Sequence, residues 1–291
     1  MDSSQIYEQV QRHYSARSNR HNTKYSESVA KSFGYTREAL AGVSQDANLG
    51  LSCGNPLAIA SLHDASPHVL STGETVIDLG SGAGFDVFQA APRVGPTGKV
   101  IGVDMNPDML ARANKIKAST NAPNVTLVQS SITAIDLESG IADCIISNCV
   151  INLVPESEKE LVFKEVFRLL KPGGRVAICD ILAKKPLPEE LRSDMSMYVG
   201  CIAGASQVAD YETWLQQAGF SEILVADSKA DLNVYIHTTE DGTRMSGCCS
   251  QNASSSAGPT NANVLPSVSL QRDLNDWVGS YKIYAVNDCI Q

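Results

Sequence analysis

The sequence predicts a doubly wound α/β fold: a mostly parallel, seven-stranded sheet with N-terminal helices and a C-terminal insertion. Two observations carry this reading. From residue 75 onward, short apolar runs alternate with segments of helical spacing, as strand-helix-strand units of a parallel sheet require. The first run also opens directly into a glycine turn, Gly80-Ser-Gly82-Ala-Gly84, and a helix follows it.

The elements follow in order. Ile6, Tyr7, Val10 and Tyr14 recur near helical spacing and predict helices over residues 1–50 that lie across the sheet. Residues 75–79 form the first strand, and a helix is expected from 85 to about 93. Gly95-Pro-Thr-Gly98 introduces a second strand over 100–104, and Pro107 sits just inside the helix that follows, to about residue 119. Residues 125–129 and 144–147 have buried-strand patterns, separated by the polar stretch 136–140. Leu161, Val162, Val166, Leu169 and Leu170 give a helix over 157–170, which Pro172-Gly173-Gly174 should end before a strand over 175–180. Residues 186–208, with Pro, Met and Gly, read as a helical insertion over the strand ends. Asp210 is expected to cap a helix to about residue 217 with Gly219 as its stop, before strands over 222–226 and 281–286. Between them, residues 240–263 are rich in Ser, Asn, Gly and Ala, and read as a loop. The chain therefore divides into a covering segment (1–50), a core with its insertion (51–227) and a C-terminal extension (228–291).

Composition excludes several classes of function. The 291 residues are 43% hydrophobic, enough to fill a core, and the formal charge is -9. No Lys/Arg run tracks phosphates, so nucleic acid is not an expected partner. No stretch approaches the roughly 20 apolar residues that span a bilayer, and the start lacks a basic segment followed by an apolar run. The expected address is the cytoplasm, and the expected state a monomer. Eight cysteines in such a chain are thiols available for ligation or catalysis.

The glycine turn lets the backbone approach a ligand, and an acid at the end of the second strand can accept both hydroxyls of a ribose. Here that acid is Asp104, twenty residues after Gly84. The full element is Asp78-x-Gly80-x-Gly82-x-Gly84; a dinucleotide pattern read from Gly80 would need glycine where Phe85 stands. With Leu170-Lys-Pro-Gly-Gly174 ahead of the fifth strand and seven strands in all, residues 75–227 resemble class I, Rossmann-like, methyltransferases. The resemblance implies S-adenosylmethionine as cofactor. It puts Gly80, Ser81 and Gly82 beside the methionine part, Asp104 on the ribose, Met105 and Ile132 against the adenine, and Asn148 near the methionine end. Asp78 either orients the turn or contacts the cofactor.

Ligands of open α/β sheets bind at the carboxyl ends of the strands. Cys149, in Ser147-Asn-Cys-Val-Ile-Asn-Leu153, falls just beyond the fourth strand, where a methyl acceptor must sit. Cys53 lies in a loop before the core and Cys201 in the insertion, whereas Cys144 and Cys179 sit within strands as small hydrophobes. Three soft thiols from distant segments suit a soft, three-coordinate ion. Arsenic(III) has that character: it exchanges hydroxide for thiolate and keeps a lone pair that can attack a sulfonium methyl without a general base. Consistently, the five histidines (His13, His21, His63, His68, His237) form no ligand or triad spacing.

Phe33-Gly34-Tyr35, Ala47-Asn48-Leu49-Gly50-Leu51, Cys53-Gly54-Asn55-Pro56, the Ser147–Leu153 stretch and Cys201 resemble arsenite methyltransferases, from about residue 25 to residue 227. The resemblance implies that Cys53, Cys149 and Cys201 bind the metalloid and carry catalysis. It also implies stepwise methylation of arsenite and methylarsonous acid, with a thiol reductant (glutathione or thioredoxin) as co-substrate. Many members have a further cysteine upstream of the position of Cys53; none stands there in this chain, so no relay through such a residue is carried over. Cys248 and Cys249 resemble a vicinal pair near the C-terminus of some members and are candidates to hand arsenic to the core site; an exposed, dispensable pair is the alternative. Two other readings of the chain stay open. One is a C- or O-methyltransferase of the same fold acting on a small molecule, its pocket lined by Met195, Met197 and Tyr198; the other is a non-catalytic metalloid-binding protein.

Overall fold

In the computed structural model, residues 2–18, 23–60, 70–237 and 273–288 are described. Three helices open the chain: α1 (Ser3–Ser18), α2 (Thr23–Ser32) and α3 (Arg37–Ala41). The alternating core follows as β1 (Thr75–Leu79), α4 (Phe85–Val94), β2 (Lys99–Asp104), α5 (Pro107–Thr120), β3 (Val125–Gln129), β4 (Ala142–Asn148), α6 (Lys159–Leu169) and β5 (Leu170–Ala183). Then come α7 (Glu189–Arg192), α8 (Met195–Val199), α9 (Val208–Ala218), β6 (Ser221–Asp227), α10 (Val234–His237) and β7 (Val278–Val286). The seven strands run β3-β2-β1-β4-β5-β7-β6, parallel except for β7, which is antiparallel to both β5 and β6.

Alternation of side chains along each strand builds two apolar layers. On one face Val76, Val100, Cys144 and Ala177 pack against α4 and α5 through Val87, Ala91, Met109 and Ile116. On the other Ile77, Val103, Ile145 and Ile178 pack against α6 and α9 through Val162, Phe163, Tyr211 and Leu215. A parallel strand covered on both faces needs the near-continuous hydrophobic runs seen in the sequence. A third apolar cluster reaches the sheet through Ile181 of β5 and Val278 of β7 and joins Val10 of α1 and Val29 of α2 to Cys53, Cys149, Cys201 and Met197. The N-terminal helices and the insertion therefore meet over the carboxyl ends of the strands.

Several boundaries differ from the sequence reading. The fifth strand begins at Leu170, where it pairs with Ala142 across a register shift, so Pro172, Gly173 and Gly174 belong to the irregular start of β5. Asp210 is not the cap residue of α9: Gln207 occupies that position, and Asp210 accepts its backbone N–H at 2.9 Å from within the first turn. Gly219 does end α9, in a left-handed conformation (φ 106°). Residues 240–263, with Cys248 and Cys249, and also Cys289, lie outside the described residues.

Phe163 is fully buried between Tyr211 and Trp214, with ring centroids 5.3 and 5.7 Å away. Phe163→Ala should destabilise the protein by about 3–5 kcal/mol, read as a fall in the denaturation midpoint. A change under about 1 kcal/mol would show that this layer repacks freely.

Candidate active site

β1 ends at Leu79, and the turn that follows holds Gly80, Gly82 and Gly84 at φ 64°, 52° and 89°. A side chain is strained there, and at Gly80 a Cβ would also lie 2.3 Å from Val150 in the loop after β4. Asp104, the last residue of β2, fixes the turn from the neighbouring strand. Its Oδ2 accepts the Gly82 N–H at 2.8 Å and its Oδ1 accepts that of Asn106 at 2.8 Å. The N-cap of α5 is Asn106, whose side chain accepts from Asp108 and Met109. Asp104 is thus not a helix cap.

Beside the turn opens a cavity of about 1060 Å³, counted out to its open mouth. Its wall includes Asp78, Gly80, Ser81, Gly82, Asp104, Met105, Ile132 and Asn148, all the residues expected to face a cofactor. Oδ2 of Asp78 and Oγ of Ser81 are buried there without a hydrogen-bond partner among the described residues. Buried polar atoms are normally paired, so these two are poised for a ligand. The lining combines acidic acceptors (Asp78, Asp86, Asp104) with apolar side chains (Met105, Met109, Ile132), a combination that suits a nucleoside with a cationic tail. Helix α1 covers the opening with Tyr7, Gln11 and Tyr14, and Gln11 donates to the Met105 carbonyl at 3.5 Å.

The structure brings Cys53, Cys149 and Cys201 together at the same end of the sheet. Cys149 lines the cavity. Cys53 and Cys149, 96 residues apart in sequence, are joined by a disulfide with their Cα atoms 5.9 Å apart, which corrects the expectation of three free thiols. Cys201 remains a thiol and donates to the Cys149 carbonyl at 2.9 Å. Cys144 and Cys179 are free and fully buried within β4 and β5. Cys149 and Cys201 both hold left-handed backbones, at φ 58° and 64°, conformations that cost a non-glycine residue roughly 1–3 kcal/mol unless the surroundings enforce them. The Cys53 loop reaches the site through Gly54, where a Cβ would meet the Cys179 side chain at 2.4 Å.

Two asparagines hold these loops. Asn148 accepts the Cys53 N–H at 3.2 Å, and its amide donates to the Gly54 carbonyl (2.9 Å), Tyr35 Oη (3.0 Å) and Asp86 Oδ2 (3.1 Å). Asn152 joins the far side of the Cys149 loop to Asp180, Ile181 and Cys201. Sequence reasoning had placed Asn148 near the cofactor but assigned no role to Asn152, Tyr35, Asp86 or Asp180. Asp86 and Asp180 carry no signal in their own segments, because their partners come from elements dozens of residues away.

A seven-stranded sheet with one reversed strand, a glycine turn after β1 and an acid closing β2 define a class I methyltransferase. The methyltransferase domain family matches residues 70–219, and the chain belongs to it. Among named relatives, it is 44% identical to an arsenite methyltransferase of Halobacterium salinarum over 199 residues, which cover 68% of this chain and 48% of that one. It is 39% identical to an arsenite methyltransferase of Aquipseudomonas alcaligenes over 53% of this chain and 46% of that one. The chain thus spans about half the length of the curated relatives it matches. The fold is shared with a solved arsenic(III) S-adenosylmethionine methyltransferase from Chlamydomonas reinhardtii, at a TM-score of 0.56 and 24% identity over 89% of this chain and 73% of that one.

The electrostatics of the cavity are set by buried acids. Burial raises Asp78 well above its ordinary range, and the neighbouring Asp86 and Asp104 raise it further. Burial likewise pushes Asp86 up to about 6, against the opposing effects of hydrogen bonds from Tyr35 and Asn148 and the charge of Arg93. A carboxyl whose folded pKa lies above its unfolded value near 4 favours the folded state while protonated. Its contribution is complete below about pH 4 and is lost as pH rises through about 6. Asp86 should therefore make the protein less stable as pH rises between those limits. Asp86→Asn should flatten this part of the stability profile, measured by urea denaturation from pH 4 to 7.5, whatever its constant offset. An unchanged slope would mean that Asp86 does not titrate in this window.

Proposed function

We infer that the protein is an S-adenosylmethionine-dependent arsenite methyltransferase that adds methyl groups to trivalent arsenic held by cysteine sulfur. The observation that supports this most is the meeting of Cys53, Cys149 and Cys201, from three distant segments, beside the cavity under the glycine turn. The relatives named arsenite methyltransferase support the same reading and favour it over the small-molecule alternative. In this reading residues 1–50 cover the site and residues 51–227 carry it. The protein acts in the cytoplasm as a monomer, on arsenite and methylarsonous acid.

The residues around the cavity fit S-adenosylmethionine. Asp104 keeps lone pairs for ribose hydroxyls beyond the two backbone N–H groups it accepts. The unpaired Asp78 Oδ2 and Ser81 Oγ match the ammonium group of the methionine part. When bound, the cofactor supplies an electrophilic sulfonium methyl. The chain's own part is to hold the nucleophile. Arsenous acid exchanges its three hydroxides with Cys53, Cys149 and Cys201, each thiol proton leaving with a hydroxide as water. The arsenic lone pair then needs no base. Both sulfurs of the Cys53–Cys149 disulfide must first be freed, which calls for a thiol reductant such as glutathione or thioredoxin.

The purified protein, incubated with S-adenosylmethionine, glutathione and arsenite, should yield methylated arsenic on element-specific chromatography. Cys149→Ser should abolish the product while S-adenosylmethionine binding persists, because a hard hydroxyl is a weak arsenic ligand. Product from Cys149→Ser at the wild-type rate would remove this site; no product from wild type would remove the substrate. Asp104→Ala should weaken S-adenosylmethionine binding about 10–100-fold in calorimetry, the loss expected for one or two hydrogen bonds to a charged acceptor.

A further inference from the structure

Building on the arsenite reading, we propose that Asn152 is the positioning residue that delivers the third thiol, so that arsenite is held by three sulfurs and not by two. Asn152 is fully buried in the short 3-10 turn Ile151–Leu153, three residues after Cys149. Its amide N–H groups are shared among the Cys201 carbonyl (3.1 Å), the Ile181 carbonyl (2.6 Å) and Asp180 Oδ1 (2.9 Å). One side chain therefore ties together the Cys149 loop, the end of β5 and the Cys201 loop.

Cys201 needs such a tie because its backbone is left-handed, at φ 64°, and does not hold that state unaided. The loop also approaches Asn152 closely by composition: a Cβ at Gly204 would lie 2.1 Å from the Asn152 carbonyl oxygen. On the other side the buried Lys159 ammonium grips the same loop, donating to the Gly204 carbonyl at 2.5 Å and to Ser206 Oγ at 2.6 Å. By contrast, Cys53 and Cys149 are held by Asn148 and by the Cys179 carbonyl, which accepts the Cys149 N–H at 2.8 Å. Asn152 thus bears on the Cys201 loop through a direct bond, whereas Cys53 and the Cys149 backbone have holds of their own. Its loss should leave a competent dithiol and a misplaced Cys201.

Arsenite, with three exchangeable hydroxides, distinguishes these states, whereas phenylarsine oxide forms only two arsenic-sulfur bonds. The experiment uses the full chain, reduced, with arsenite or phenylarsine oxide as the probe, and X-ray absorption at the arsenic edge counts the sulfur ligands. Wild type should show three sulfurs on arsenite. Asn152→Ala should show two sulfurs and one oxygen, with arsenite affinity reduced about 100-fold and phenylarsine oxide capture within about twofold of wild type. Gly204→Ala pushes the loop off Asn152 from the opposite side and should give the same coordination change if Asn152→Ala does not fold. Three sulfurs retained in either folded variant would overturn the role of Asn152. Fewer than three in wild type would instead remove the three-thiol reading on which it rests.

Discussion

Beyond the last residue of β4 the chain stays buried, and a buried backbone must find partners for every polar group it carries. Cys179, Cys201 and the turn itself pair the backbone here, while Asn148 and Asn152, four positions apart on either side of Cys149, pair the segments packed around it. Asn148 serves the Cys53 loop, Tyr35 and Asp86, while Asn152 serves β5 and the Cys201 loop. Leaving one such buried group unpaired costs about 1–3 kcal/mol, so these two amides fix the relative placement of segments with no apolar reason to be in register. Hydrophobic packing is non-directional and brings the cap down onto the sheet; the amides decide where its loops stop.

The same end of the sheet gathers carboxyls. Asp78, Asp86 and Asp180 are almost wholly buried, and burial raises each of them. Tyr211 donates to Asp180 at 2.9 Å, and Tyr35 to Asp86 at 2.7 Å. A core designed for stability alone would not concentrate acids in this way, since each resists ionisation where water is excluded. Their concentration makes sense where the strands' carboxyl ends face a cationic ligand, whose charge would offset the burial of the acids. Strain follows the same geography: Cys149 and Cys201 take left-handed backbones beside the cavity, held by neighbours that leave them no alternative.

How much of this was legible in the sequence depends on the range of the interaction. The strand at 75–79, the glycine turn and the acid at 104 are local patterns, and residues 78–84 alone specify the ligand-facing turn. Cys53, Cys149 and Cys201 were singled out because each falls outside a strand pattern, and the sheet does gather them at one end. The disulfide was not legible, because contact between residues 96 apart depends on tertiary register. Asp210 was misplaced by three residues, because glutamine is a weak capping signal and a carboxylate three positions on completes the box equally well. Asn152 sits in a stretch that was read closely for its cysteine, yet an amide's role is set by its acceptors, and all three belong to other segments.

Gly54 and Gly204 show the reverse case, in which a small residue is informative only once the fold is known. In sequence each reads as a loop residue beside a cysteine. In the structure each is a point of contact: Gly54 lets its loop lie on Cys179, and Gly204 lets its loop lie on the Asn152 carbonyl. Both cysteine loops are therefore docked through their glycines onto the loop and strand that already carry Cys149 and Cys179. The distance between the sulfurs is then set by backbone packing and not by flexible side chains. A ligand that requires three sulfurs around one atom is best met by such a rigid arrangement, because the entropy of ordering the loops is spent in folding and not in binding.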